Sequence, residues 1–258
     1  MKNYDKLSMR HHEFKIAYLN YQIGKVANGF FKCAGGRSYV YVFYDPSNSK
    51  VNRDCKIRYS IETDRGKYYA AQVTRYQELK CELDILIKAW KRKYSVPPRA
   101  IQYPLNKTRT TIFDHDWFIQ SPSHQNKKPI ENPINYNGII LRSKNELIQY
   151  KTIEALGYEQ KVEMLAVFKD NRYFYPDSTF YVPEIDKVIL SNLDGSMENP
   201  NYVSKSYYDT AVCINNGLIE SKDFVVARIS NYKQIDAEQI ENLILSAIDA
   251  SINDIIIE

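Results

Sequence analysis

Residues Tyr175–Gly195 read YPDSTFYVPEIDKVILSNLDG, and the pattern of this stretch decides the fold. RYFYPDSTFYV, which enters it from Arg172, and KVILSNL, from Lys187, are both rich in β-branched and aromatic residues, so each is expected to form a strand. Side chains two apart on a strand face the same way, so Asn192 and Asp194 share a face provided that the second strand reaches Asp194. A Pro-Asp pair in one strand and SNLDG at the end of the next raise the question of a metal ion.

Working outward, RSKNELIQYKTIEALG reads as a helix closed by Gly157, and KVEMLAVF as a strand joined to RYFYPDSTFYV by the turn KDN. NPNYVSKSYYDTAVCINNG reads as a helix closed by Gly217, DFVVARI as a strand, and Ala237 to about Asp254 as a last helix, with Asp236 and Gln239 forming a capping box at its start. The order α-β-β-β-α-β-α predicts an α/β sandwich around a mixed sheet.

Towards the N-terminus a weak helical pattern surrounds Phe14, Ala17, Tyr18 and Tyr21. GGRSYVYVFYDP and KIRYSIET then predict a β-hairpin. From Tyr69 to Tyr94 the residues Val73, Tyr76, Leu79, Leu83, Leu86 and Trp90 recur every three or four positions and stop before Pro97-Pro98, which predicts a long amphipathic helix. Its basic end, with Lys88, Lys91, Arg92 and Lys93, complements the helix dipole. The Pro-, Asn- and Lys-containing segment that follows reads as a linker, with IFDHDWFIQ as an apolar anchor whose Asp114, His115 and Asp116 are expected to be extended and not to converge on a cation. The expected organisation is a basic N-terminal region over 1–97, a linker over 98–136 and a core over 137–258.

The net charge of +4 hides a division: residues 1–130 carry 24 Lys and Arg against 11 Asp and Glu, and the remaining residues carry 11 against 20. A basic front half suits a polyanionic partner, because neutralised phosphates release counterions, and it equally suits a solvated face or an acidic partner region in the same chain. Cys33, Cys55, Cys81 and Cys213 lack C-x-x-C spacing, so free thiols are expected in place of structural zinc or disulfides. The N-terminus MKNYDKLSMRHHEFK has no apolar signal-peptide core and no run of about 18 apolar residues occurs, so a cytoplasmic, non-membrane protein is expected.

Taken in order, RSKNE, V-E, YPDSTF, KVIL and NPNY followed by a helix and an apolar strand resemble the PD-(D/E)XK nuclease superfamily, and more narrowly a bacterial and phage group with RSK-x-E, YE, YPDF, YWEHFG and P-x-Y motifs. The resemblance spans about Leu141 to Ile229 and implies a restriction-endonuclease-like mixed sheet flanked by helices, preceded by the hairpin and long helix. It also implies hydrolysis of phosphodiesters by water activated on one or two Mg²⁺ ions held by converging carboxylates. Asp177 matches the Asp of the PD motif, Glu146 the acidic residue of the preceding helix and Glu163 the Glu of the intervening strand. The Glu of WEHFG falls on Asn192, an amide that brings no negative charge to a cation, and the following His falls on Leu193. Asp194 lies where a Lys is expected, and it offers a replacement ligand; no basic residue replaces that Lys, and Lys205, early in the next helix, reaches back to the site only if that helix is suitably oriented.

The candidate set that results is Glu146, Asp177, Asp194 and Lys205 for catalysis, and Asp177, Asn192, Asp194 and Glu163 for Mg²⁺. Arg142 and Lys144, at a helix N-terminus, are the candidates for a nucleic-acid phosphate. Each residue also has a plain structural role: Ser143 and Glu146 form a capping box, Asp177 caps backbone amides at a strand bend, Glu163 is an exposed strand residue, and Leu193–Gly195 is a turn. The leading expectation is a nuclease-fold protein that binds nucleic acid, DNA in preference to RNA, and has lost turnover with its central Glu. An active Mg²⁺-dependent nuclease with a rearranged site is the alternative, and an inhibitor or decoy that binds a protein partner is the third.

Overall fold

The computed structural model describes residues 3–48, 56–101, 103, 111–195, 197–229 and 235–256, and is a mixed α/β structure with six helices. Cys55 lies outside the described residues; Cys33, Cys81 and Cys213 are free thiols. No described helix is long and apolar enough to cross a membrane. The chain divides into two compact units, His12–Pro104 and a second that combines Met1–His11 with Leu105–Glu258.

In the first unit α1 (Asn3–Lys25, whose first residues belong to the other unit) leads to β1 (Asn28–Ala34), β2 (Arg37–Tyr44), β3 (Ile57–Ser60) and α2 (Asp64–Lys93). The expected hairpin is thus the β2 and β3 part of a three-stranded antiparallel sheet, because β1 adds on the far side of β2 through the turn at Gly35 and Gly36, both with positive φ. One face packs on α2: Val40 and Val42 are fully buried with Tyr69 and Val73, and Ile57, Tyr59 and Ile61 pack against them. Thr63 caps α2, its hydroxyl accepting from the Gly66 amide at 3.0 Å, so the helix starts a turn before the apolar stripe that announced it. Close approach demands glycine at two places: a Cβ on Gly66 would lie 1.7 Å from the Ser60 carbonyl oxygen, and one on Gly29 2.1 Å from that of Tyr41.

In the second unit α3 (His115–Gln120), β4 (Ile134–Tyr136), β5 (Ile139–Leu141), α4 (Lys144–Ala155), β6 (Glu159–Val162), β7 (Ala166–Val167), β8 (Tyr173–Phe174), β9 (Ser178–Val182), β10 (Lys187–Asp194), α5 (Pro200–Asn215), β11 (Phe224–Arg228) and α6 (Ala237–Ile256) follow in order. The central sheet is β11-β10-β9-β6, parallel between β10 and β11 and antiparallel elsewhere, so it is mixed as expected. The parallel step uses α5 as its crossover helix. Gly157 and Gly217, with φ of 78° and 86°, end α4 and α5, and the Asp236–Gln239 capping box is present at α6.

Three expectations are corrected. KVEMLAVF is not one strand: Glu163 adopts φ 48°, which ends β6 and re-aims the chain into β7. RYFYPDSTFYV is also cut in two, between β8 and β9, at Tyr175-Pro176-Asp177, where the proline has no N–H for a ladder. IFDHDWFIQ is helical, because Asp114 accepts from the Trp117 amide at 2.8 Å and starts α3. Phe118 and Phe113 of that island are buried in the apolar core. Lys161 holds the other end of α3, donating to the Phe118, Ile119 and Ser121 carbonyls at 2.6, 2.9 and 2.9 Å.

Candidate functional site

Extending the β9/β10 register, in which Ser178 opposes Ser191, sets Asp177 beside Asn192. Strand β10 reaches Asp194, so Asp177, Asn192 and Asp194 share one face at the end of two adjacent strands. Asp194 in turn opposes Arg228 on β11. The pairing of a Pro-Asp corner with an eight-residue neighbouring strand is what brings these side chains together.

Their hydrogen bonds run back into the chain. The Leu193 amide donates to Asp177 Oδ2 at 2.6 Å, and the Asn192 side-chain amide donates to Asp194 Oδ1 at 2.6 Å. The buried Ser206 hydroxyl of α5 donates to Asp194 Oδ2. Asp177 keeps some exposed surface, but protein surrounds its carboxyl. Burial, and then the charges of Glu146, Asp194 and Glu163, push its pKa well above the ordinary carboxylate range against the opposing Leu193 hydrogen bond. Asp194 is raised as well, first by burial, while the Ser206 hydrogen bond and the charges of Lys205 and Arg228 work the other way.

Glu146 stands in the first turn of α4 in the capping box its sequence announces. The Glu146 amide donates to Ser143 Oγ at 3.1 Å, and the carboxylate accepts from the Arg142 amide at 2.8 Å. Burial raises its pKa, helped by the charge of Glu163 and opposed by the Arg142 hydrogen bond. Glu163 is buried, not an exposed strand residue: its Oε1 accepts from Arg142 Nε at 2.5 Å, and His124 Nδ1 lies 3.9 Å from its Oε2. The Arg142 guanidinium also donates to the Pro129 and Asn126 carbonyls, at 3.1 and 3.3 Å, so it ties three chain segments together. Lys144 is exposed at the first position of α4.

Lys205 does reach the neighbourhood of Asp194, but its ammonium donates to Asp209 at 3.0 Å. Burial works to lower the Lys205 pKa, yet the Asp209 hydrogen bond and the charges of Asp209 and Asp194 raise it overall. Gln149, Ser206 and Arg228 were not singled out from the sequence. Gln149, one turn after Glu146, donates to Ser191 Oγ at 2.8 Å in the core. Its three-residue spacing from Glu146 is a sequence signal that could have found it. Arg228 donates to Glu220 at 3.0 Å and to Thr210 at 2.9 Å, which holds its charge near Asp194.

Asp177 therefore lies within electrostatic reach of Glu146, Asp194 and Glu163, and Glu146 within reach of Glu163, though each of these carboxylates is bonded to another part of its own chain. Among the described residues no three His, Cys, Asp or Glu side chains are gathered tightly enough to hold a metal ion as they stand. The carboxylate oxygens are of the type Mg²⁺ takes, and both oxygens of Asp194 and one of Asp177 already accept hydrogen bonds from their own chain. Comparison with protein-family models, with curated proteins and with solved structures gives no significant match to this chain.

Proposed function

We propose that the unit containing Leu105–Glu258 is a restriction-endonuclease-like core that binds nucleic acid, DNA in preference to RNA, without cleaving it. The observation that carries this reading is Asn192. It stands where the resembled motif has its central Glu, and its amide serves as a hydrogen-bond donor to Asp194. A donor there supplies internally part of what a cation would supply, and it removes one of the charges that draw Mg²⁺.

An active Mg²⁺-dependent nuclease using Asp177, Asp194 and Glu146 or Glu163 is the second reading. It is favoured by the charges of Glu146, Asp194 and Glu163, which add to burial in raising the Asp177 pKa, since a bound divalent ion relieves such repulsion. Incubation of labelled single- and double-stranded DNA and RNA with Mg²⁺ or Mn²⁺ separates the two. The first reading expects binding without cleavage, and activity appearing in Asn192→Glu. Cleavage by the native chain that disappears in Asp177→Ala would overturn it in favour of the second.

A further inference from the structure

The sheet of the His12–Pro104 unit has a second face, turned away from α2. Strand alternation and the register of β1, β2 and β3 assign to it Phe30, Lys32, Arg37, Tyr39, Tyr41, Phe43 and Arg58. Phe30 and Tyr41 are stacked at 4.9 Å with planes 7° apart, and Phe43 lies 5.3 Å from Phe30. The Lys56 ammonium stands over Phe43 and Phe30 at 5.3 and 5.9 Å, and the Arg58 guanidinium over Tyr39 at 4.7 Å. Water reaches part of every one of these four rings, and Lys32, Arg37, Lys56 and Arg58 are exposed.

We propose that this face is a binding platform for single-stranded nucleic acid, bases stacking on Phe30, Tyr39, Tyr41 and Phe43 while the four cations take the phosphates. Charge chooses the occupant: none of the three strands contains an Asp or Glu, and residues 12–104 carry 17 Lys and Arg against 8 acidic residues. The rings choose the strandedness, because only unpaired bases can offer their faces to an aromatic side chain. Cations already resting on the rings mark them as open π surfaces, and an arriving base can displace Lys56 or Arg58 towards its own phosphate. A purely acidic peptide would satisfy the cations and leave the rings unused. The inference rests on and deepens the proposed nucleic-acid role, and draws on residues of the His12–Pro104 unit alone.

The test uses the full chain and fluorescein-labelled oligo(dT) of about a dozen nucleotides, within the range one stacking domain covers, titrated at several salt concentrations. Tyr41→Leu/Phe43→Leu keeps apolar bulk and removes the stacking partners; it is expected to weaken oligo(dT) binding at least about tenfold. Lys56→Ala/Arg58→Ala is expected to lower the salt slope by about 1.4, about 0.7 for each phosphate that is no longer neutralised on a single strand. Photo-cross-linking of 5-iodouridine oligonucleotides to the unmodified chain reads the same surface without a variant, and peptides containing Phe30, Tyr39, Tyr41 or Phe43 are expected. Cross-links confined to residues 105–258, undiminished binding in the Leu variant, or equal competition by polyglutamate would each overturn the platform and leave the proposed core function standing. Failure of the full chain to bind any nucleic acid would remove both.

Discussion

The three-stranded sheet β1-β2-β3 and the four-stranded sheet β11-β10-β9-β6 use polar chemistry in opposite directions. On β9 and β10 the charged groups are drawn in: Asp177 onto the Leu193 amide, Asp194 onto Asn192 and Ser206, Lys187 onto Asp223. On β1, β2 and β3 the cations are left outside, resting on rings that water still reaches. A buried acceptor filled by its own chain contributes to the fold and keeps little for a ligand. An exposed cation over an aromatic ring contributes little to the fold, so it can be given to a ligand at small cost.

The largest effect of substitution is therefore expected inside the acidic sheet. Lys187 and Asp223 are both buried and 2.7 Å apart, with Lys187 also donating to Ser251 at 3.0 Å. Lys187→Met leaves Asp223 charged and unneutralised, at a cost of about 3–5 kcal/mol, or a fall in melting temperature of about 10 °C. Adding Asp223→Asn removes the stranded charge and keeps an acceptor for the Ile219 amide, so it should recover most of that loss. A single variant that melts like the native chain would break the contrast between the sheets. In the aromatic unit the vulnerable group is backbone: Gly66→Ala drives a methyl against the Ser60 carbonyl and should destabilise that unit by about 2–3 kcal/mol. Hydrogen exchange is expected to rise in α2 and β3 and to stay unchanged in β9 and β10.

Much of this was legible in the residues and some was not. Period and punctuation locate α2, α4, α5, α6 and the strands β2, β3, β10 and β11, because each helix carries its own cap or closing glycine and each strand its own run of β-branched and aromatic residues. The Ser143–Glu146 and Asp236–Gln239 boxes were readable for the same reason: both partners lie within four residues. What escaped was decided at long range or by one residue. Glu163 breaks its strand because its carbonyl and carboxylate serve Gln125 and Arg142, 38 and 21 positions away, which no local pattern records. Ser206 and Arg228 meet Asp194 only because β10, α5 and β11 form a parallel crossover. IFDHDWFIQ looked extended because its helix is one and a half turns long, too short to show a period.

A smaller and opposite change is expected at Asp177. Its pKa in the fold lies above the ordinary value, so the protonated carboxyl is the form the fold favours. The associated stability is complete at pH below the ordinary carboxylate value and is lost as pH rises through the raised pKa. Asp177→Asn cannot ionise and can still accept from the Leu193 amide, so it should melt about 2–4 °C above the native chain at neutral pH, the shift that about 1 kcal/mol makes at this size. The gap should close on acidification. Melting curves from pH 4 to 8 check this, and a gap that widens towards acid would show that Asp177 is stabilised as a carboxylate, contrary to the repulsion inferred for the acidic face.

The smallest effect on stability belongs to the exposed aromatic face. Arg58 lies 4.7 Å above Tyr39 with its side chain in water, where such a contact contributes about 0.5–1 kcal/mol at most. Arg58→Gln keeps the aliphatic stem against the sheet and removes the charge, so the melting temperature should fall by no more than about 4 °C. Raising the salt concentration should leave that difference nearly unchanged, because the ring is a neutral partner and no carboxylate on these strands is paired with Arg58. The Lys187 variant, beside it, loses a buried ion pair and should show its deficit at every salt concentration. A large, salt-dependent loss in Arg58→Gln would mean that this cation is spent on the fold, like those of the acidic sheet, and the distinction between inward and outward charge would fall.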